Sequence, residues 1–175
     1  FVSVDTYKAE TARYVLERGA RMINDISALR ADNNMLSVVR EHRAFLVMMY
    51  AKGSAPLPHV NDEIVVYNDV VADISAFLLD RAELAVRAGL SEGQILLDPG
   101  CGKFISDDPA VSWELLRRID ELCEKLKPFP VLIGVSRKGF LGGKLAERDQ
   151  ISQRTAVEAV AKGVACIRTH NVAMA

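Results

Sequence analysis

Six short apolar runs, at residues 1–4, 21–23, 44–48, 94–97, 131–135 and 165–168, alternate with stretches of helical spacing. This alternation constrains the fold more than any other feature of the chain. In the fifth run Val131, Ile133 and Val135 are β-branched, which suits a strand. The intervening stretches predict helices over 8–18, 62–88, 109–126 and 153–162, with a shorter one over 33–41. Gly19, Gly89 and Gly163 follow three of them, where a helix end favours a left-handed residue. No hairpin signal such as Asn-Gly joins two runs. Apolar strands alternating with helices predict an α/β protein, its parallel sheet covered by helices.

Two architectures fit, an open doubly wound sheet and a (β/α)8 TIM barrel. The dinucleotide fingerprint is absent after the first strand, which weakens the first. Polar residues recur just after the strands: Asp5, Asn24, Asp98, Ser136 with Lys138, and Arg168 with His170. In a barrel such ends converge on the face that carries the active site. Six units do not close an eight-stranded barrel, so this reading expects two more β/α units before residue 1. The chain starts within a strand, without methionine, and stops soon after another strand. It is therefore expected to be part of something longer.

The 175 residues, half of them hydrophobic, suffice for a single domain, 1–175. The net charge of −1 suggests no nucleic-acid or membrane partner, so any basic function is local. Cys101, Cys123 and Cys166 form no CxxC and suit reduced thiols of a cytoplasmic protein.

Ser136 and Lys138 are two residues apart, as are Arg168 and His170. In extended chain each pair points one way, toward the barrel mouth, leaving Arg137 and Thr169 on the other side. Lys138 can donate to a carbonyl or ring nitrogen, and Arg168 can hold a phosphate oxygen. Simple solvation of strand-end cations is the alternative. Asp98, in Leu-Leu-Asp-Pro-Gly, either caps the next turn or accepts two N–H donors from a guanidine-like ring edge. Asn24 offers donors and an acceptor for the mixed edge of such a ring. Asp25 suits a turn, and Asp5 suits either a site or the cap of the helix that follows. Gly100 to Lys103 lacks the spacing of a phosphate loop. Met48, Met49 and Tyr50 suit a packing cluster at the barrel mouth or the wall of a flat ligand. His42 and His59 have no partners at ligand spacing and are expected at the surface.

Taken together, SVDTY, INDIS, LDPG, GVSRKGFLG and RTHNV, in this order, resemble the motifs of the dihydropteroate synthase family over essentially the whole chain. The resemblance implies a (β/α)8 barrel of which strands three to eight are present, without the first two β/α units and the last helix. It implies condensation of 6-hydroxymethyl-7,8-dihydropterin pyrophosphate with p-aminobenzoate, giving 7,8-dihydropteroate and pyrophosphate with Mg²⁺ assisting. By the same resemblance Asp5, Asn24, Asp98 and Lys138 bind the pterin and Met48 packs near its ring. Arg168 and His170 hold the pyrophosphate, and Ser136 lies near the p-aminobenzoate carboxylate. Lys138, Arg168 and His170 are the implied catalytic residues. A homodimer is implied for the whole protein, and the Mg²⁺ ligand falls in the part before residue 1. The chain alone is expected to be inactive.

Met49 stands where the family usually has His, Asn171 where it has Asp, and the loop at 101–104 is short. Two other readings stay open, the second of them because of these departures. One is a pterin-binding methyltransferase of the same superfamily. The other is a non-catalytic pterin-binding paralogue.

Overall fold

The computed structural model describes residues 1–53 and 64–174. Strands and helices alternate as β1 (Ser3–Asp5), α1 (Ala9–Leu16), β2 (Met22–Asp25), α2 (Met35–Glu41), β3 (Phe45–Met49) and α3 (Val70–Arg87). There follow β4 (Ile95–Asp98), α4 (Pro109–Arg117), α5 (Ile119–Lys125), β5 (Leu132–Ile133), α6 (Leu145–Ala161) and β6 (Cys166–Ile167). Each apolar run supplies one strand.

Every strand pairing is parallel and sequential. β1 to β4 lie side by side in chain order, β5 pairs with β6, and a bridge from Leu97 to Val131 links the two groups. This order lacks the reversal that defines a doubly wound sheet. The ends of the row come together, because Arg168 after β6 donates to Asp5 of β1 at 3.1 Å. The sheet thus curls, with all its C-terminal ends on one edge.

Alternation along the strands divides two faces. Ile23, Leu46, Met48, Ile95, Leu97 and Ile133 pack in the core that also holds Ile74 and Leu78 of α3 and Ile119 of α5. Each such burial contributes roughly 1.5–3 kcal/mol before chain entropy is counted. The opposite face carries Asn24, whose register partners are Asp5 and Val47, and Met49, which pairs with Asp98.

Four expectations change. The helix expected over 62–88 begins at Val70, because Asp69 caps it by accepting the Val71 and Ala72 N–H groups at 2.9 and 3.0 Å. Its expected first residues, 62 and 63, lie outside the described residues. The helix expected over 109–126 breaks at Arg118 into α4 and α5. The Arg118 guanidinium is drawn to Asp69 at 2.9 Å and to Glu121 at 2.7 Å. The helix expected over 153–162 starts earlier, at Leu145, where Glu147 reaches back to the Lys144 N–H. His42 is half-buried rather than at the surface, with Nε2 sequestered. His59 lies outside the described residues.

Candidate functional site

The parallel sheet delivers its strand ends to one edge, and the polar residues singled out in the sequence gather there. Asn24 is buried at the end of β2 and donates from Nδ2 to Asp5 Oδ1 at 2.8 Å. Its Oδ1 is buried too and has no hydrogen-bond partner among the described residues. An orphaned buried acceptor costs free energy unless a ligand donor satisfies it. Asp5 does not cap α1, whose first N–H groups include Ala9 bonded to Asp32 Oδ2 at 2.8 Å. Asp25 is a turn residue, as expected: its carboxylate accepts from Ser27 and from the Leu29 N–H.

Asp98 is 2% exposed and accepts the Gly100 N–H at 2.8 Å. Burial pushes its carboxyl above the usual carboxylate range, against the pull of that N–H and of the Arg168 and Lys138 charges. Gly100 makes the turn after it. Its φ of 69° is left-handed, and a Cβ there would stand 2.6 Å from the Tyr50 carbonyl oxygen. Lys138 donates to the Cys101 carbonyl at 3.3 Å and lies 4.3 Å from the centre of the Phe104 ring. Burial lowers the affinity of its amine for a proton, while the nearby Asp98 charge restores part of it. The Cys101 thiol, also buried, is pushed up to about 12 and stays protonated.

The Ser136–Lys138 segment is not extended chain. It is a turn in which the Lys138 N–H bonds the Val135 carbonyl at 3.2 Å and Arg137 has a φ of 60°. Strand alternation therefore does not govern it. The outcome expected from alternation nevertheless holds for these residues: Ser136 and Lys138 line one cleft, and Arg137 turns away to Asp149 at 3.0 Å. Thr169 departs from the expectation, since it lines the cleft with its neighbours. Ser136 Oγ accepts the His170 N–H at 3.1 Å and lies 3.0 Å from His170 Nδ1, orienting the ring.

This charged cleft, about 350 Å³, is lined by Asp5, Gly134, Ser136, Lys138, Arg168 and His170, with Thr169. Gly134 leaves room for Arg168, whose Nε would lie 3.2 Å from any Cβ there. Beside it lies a second cleft of about 430 Å³, walled by Phe104 and Phe140 and sharing Lys138. Trp113 packs edge-to-face on Phe140, ring centres 5.4 Å apart. Neither Met48 nor Met49 lines these clefts; Met48 packs in the core on the helix side of β3, and Met49 is in register with Asp98. The aromatic wall and Asp149 were not among the site residues read from the sequence. The Gly-Phe pair after Lys138 signals the wall, whereas no local pattern marks Asp149.

The chain belongs to the family of pterin binding enzymes, whose family model matches residues 1–170. Its relatives include dihydropteroate synthases. That of Streptococcus pyogenes is 37% identical over 177 residues, spanning 98% of this chain and 61% of the relative. The solved structure of the Xanthomonas albilineans dihydropteroate synthase with 4-aminobenzoic acid superposes with a TM-score of 0.85 at 34% identity. It covers 98% of this chain, which in turn covers 62% of it. The same enzyme in complex with 7,8-dihydropteroate gives a TM-score of 0.84 over the same shares. The chain thus spans about six tenths of the length of these relatives.

Among the described residues no three His, Cys, Asp or Glu side chains converge as a metal site. No helix of the described residues is long and apolar enough to cross a membrane.

Proposed function

We propose that the full-length protein is a dihydropteroate synthase, and that this chain forms strands three to eight of its (β/α)8 barrel. The observation that carries the reading is Lys138, which lines both the charged cleft and the aromatic-walled one. Two substrates of different chemistry meet at such a junction.

In this reading the pterin ring spans Asp5, Asn24 and Asp98. Ring N–H donors meet the Asp98 carboxylate, and the orphaned Asn24 Oδ1 takes another. Met48 or Met49, adjacent on β3, packs near the ring, Met49 being the one in register with Asp98. Arg168 and the oriented His170 hold the pyrophosphate and stabilise charge as it leaves the pterin methylene. The p-aminobenzoate ring packs between Phe104 and Phe140, while Ser136 lines the charged cleft instead and orients His170. Its amine is already a nucleophile, so the protein's task is to hold both partners in line. Lys138, which lines the charged cleft, meets both the pterin and its pyrophosphate at the junction while bond exchange proceeds.

Mg²⁺, when bound, would offset charge on the pyrophosphate; among the described residues no cluster of metal ligands is present to hold it. The free thiols fit a cytoplasmic location, and the whole protein is proposed to be a homodimer.

Supplying the full-length protein with the pterin pyrophosphate, p-aminobenzoate and Mg²⁺ should give 7,8-dihydropteroate. Folded protein that binds pterin yet forms no product overturns the enzymatic reading in favour of a non-catalytic pterin binder.

A further inference from the structure

Asp149, near the start of α6, does not line the charged cleft, yet the turns that build the cleft meet on it. Its carboxylate accepts Arg137 Nε and Nη2 at 3.0 and 3.3 Å, and Asn171 Nδ2 at 3.5 Å. The side chain is only 12% exposed. Arg137 lies between Ser136 and Lys138 and holds a φ of 60°, which is unfavourable for an L-residue and needs an anchor. Asn171 directly follows His170, which Ser136 grips through its N–H and its ring. One carboxylate therefore ties the turn after β5 to the turn after β6. These turns carry Lys138 on one side and Arg168 with His170 on the other.

We propose that Asp149 is a positioning residue that sets the spacing between Lys138 and the Arg168–His170 pair, so that a pyrophosphate is held by all three together. The inference rests on the reading of this cleft as the pyrophosphate site. Asp149 acts through Arg137. Without it the guanidinium is released, the turn relaxes from its left-handed geometry, and Ser136 and Lys138 move with it. Asp5, Asn24 and Asp98 belong to other loops and stay in place.

The test is calorimetric titration of the full-length protein with inorganic pyrophosphate and, separately, with 6-hydroxymethylpterin. Asp149→Asn keeps the shape and removes the charge. It should weaken pyrophosphate about tenfold and the pterin, which keeps Asp5, Asn24 and Asp98 and loses only its contact to Lys138, by no more than about threefold, a split that general loosening does not produce. Asp149→Glu should recover most of the loss. Arg137→Gly accepts the left-handed turn without strain. In that background Asp149→Asn should change pyrophosphate binding by less than about twofold. If Asp149→Asn does not fold, Arg137→Gln carries the same expectation of a selective loss. Equal weakening of both ligands, unchanged pyrophosphate binding, or additive losses with Arg137→Gly overturns the proposal. Wild-type protein that binds pterin but no pyrophosphate overturns the cleft reading itself, and the proposal with it.

Discussion

Arg168 donates to Asp5 at 3.1 Å, although the two stand at opposite ends of the strand row and 163 residues apart. Their side chains are 43% and 65% exposed, so the ion pair itself adds little to stability. Its consequence is functional, because the arginine proposed to hold the pyrophosphate is partly neutralised by a carboxylate proposed to hold the pterin. Asp5→Asn should raise the affinity for inorganic pyrophosphate about threefold and lower that for the pterin about tenfold, as read by titration calorimetry. A loss of pyrophosphate affinity in this variant contradicts the competition.

Asp98 is held at a cost to the fold. Burial raises its folded-state pKa above the unfolded value, so the native state takes up the proton first as pH falls. Stability should therefore fall as pH rises from the unfolded value to the raised one, and level off above it. Asp98→Asn keeps an acceptor for the Gly100 N–H and removes the buried charge. The variant should gain on the order of 1 kcal/mol in a denaturant melt while losing at least about tenfold in pterin affinity. A variant that is less stable, or that binds pterin normally, counts against the carboxylate's role.

Lys138 gives the opposite sign. Its folded-state pKa is depressed by burial, so between that value and the ordinary lysine value the unfolded chain binds more protons. Stability should rise with pH across this window. Affinity for p-aminobenzoate should fall over the same window, as the ammonium shared by the two clefts is lost. Trp113, the only tryptophan, packs edge-to-face on Phe140 of the aromatic wall, and its fluorescence should report the binding. A binding curve flat with pH up to the ordinary lysine value means that the Lys138 charge is not used.

Gly100 tests the turn that presents Asp98. Gly100→Ala adds a Cβ 2.6 Å from the Tyr50 carbonyl oxygen at a φ of 69°. It should cost about 2 kcal/mol in thermal or denaturant unfolding. A neutral result contradicts the backbone geometry at this turn.

The strands were legible because each is an apolar run between polar strand ends, and that pattern depends on the pleat alone. Asp5, Asn24, Asp98 and Arg168 stood out for the same reason, whereas Lys138 lies past its strand in a turn that the pleat does not govern. Three features were set by partners distant in sequence. The break at Arg118 follows from Asp69, 49 residues away. The side of β3 that faces the site turns on a one-residue register, which the adjacent methionines conceal: Met48 packs under the helices and Met49 pairs with Asp98. Arg137 leaves the cleft because of a left-handed turn and Asp149, neither of which is visible in the Ser-Arg-Lys triplet.

Arg168 offers the most direct measurement. Wild-type full-length protein and Arg168→Ala are titrated with 6-hydroxymethyl-7,8-dihydropterin pyrophosphate and with the same pterin lacking the pyrophosphate. The wild type should prefer the pyrophosphate form by at least about tenfold, and Arg168→Ala should lose most of that preference while binding the bare pterin almost unchanged. Equal losses on both ligands, or a preference that survives the substitution, would contradict the division of the cleft between pterin and pyrophosphate.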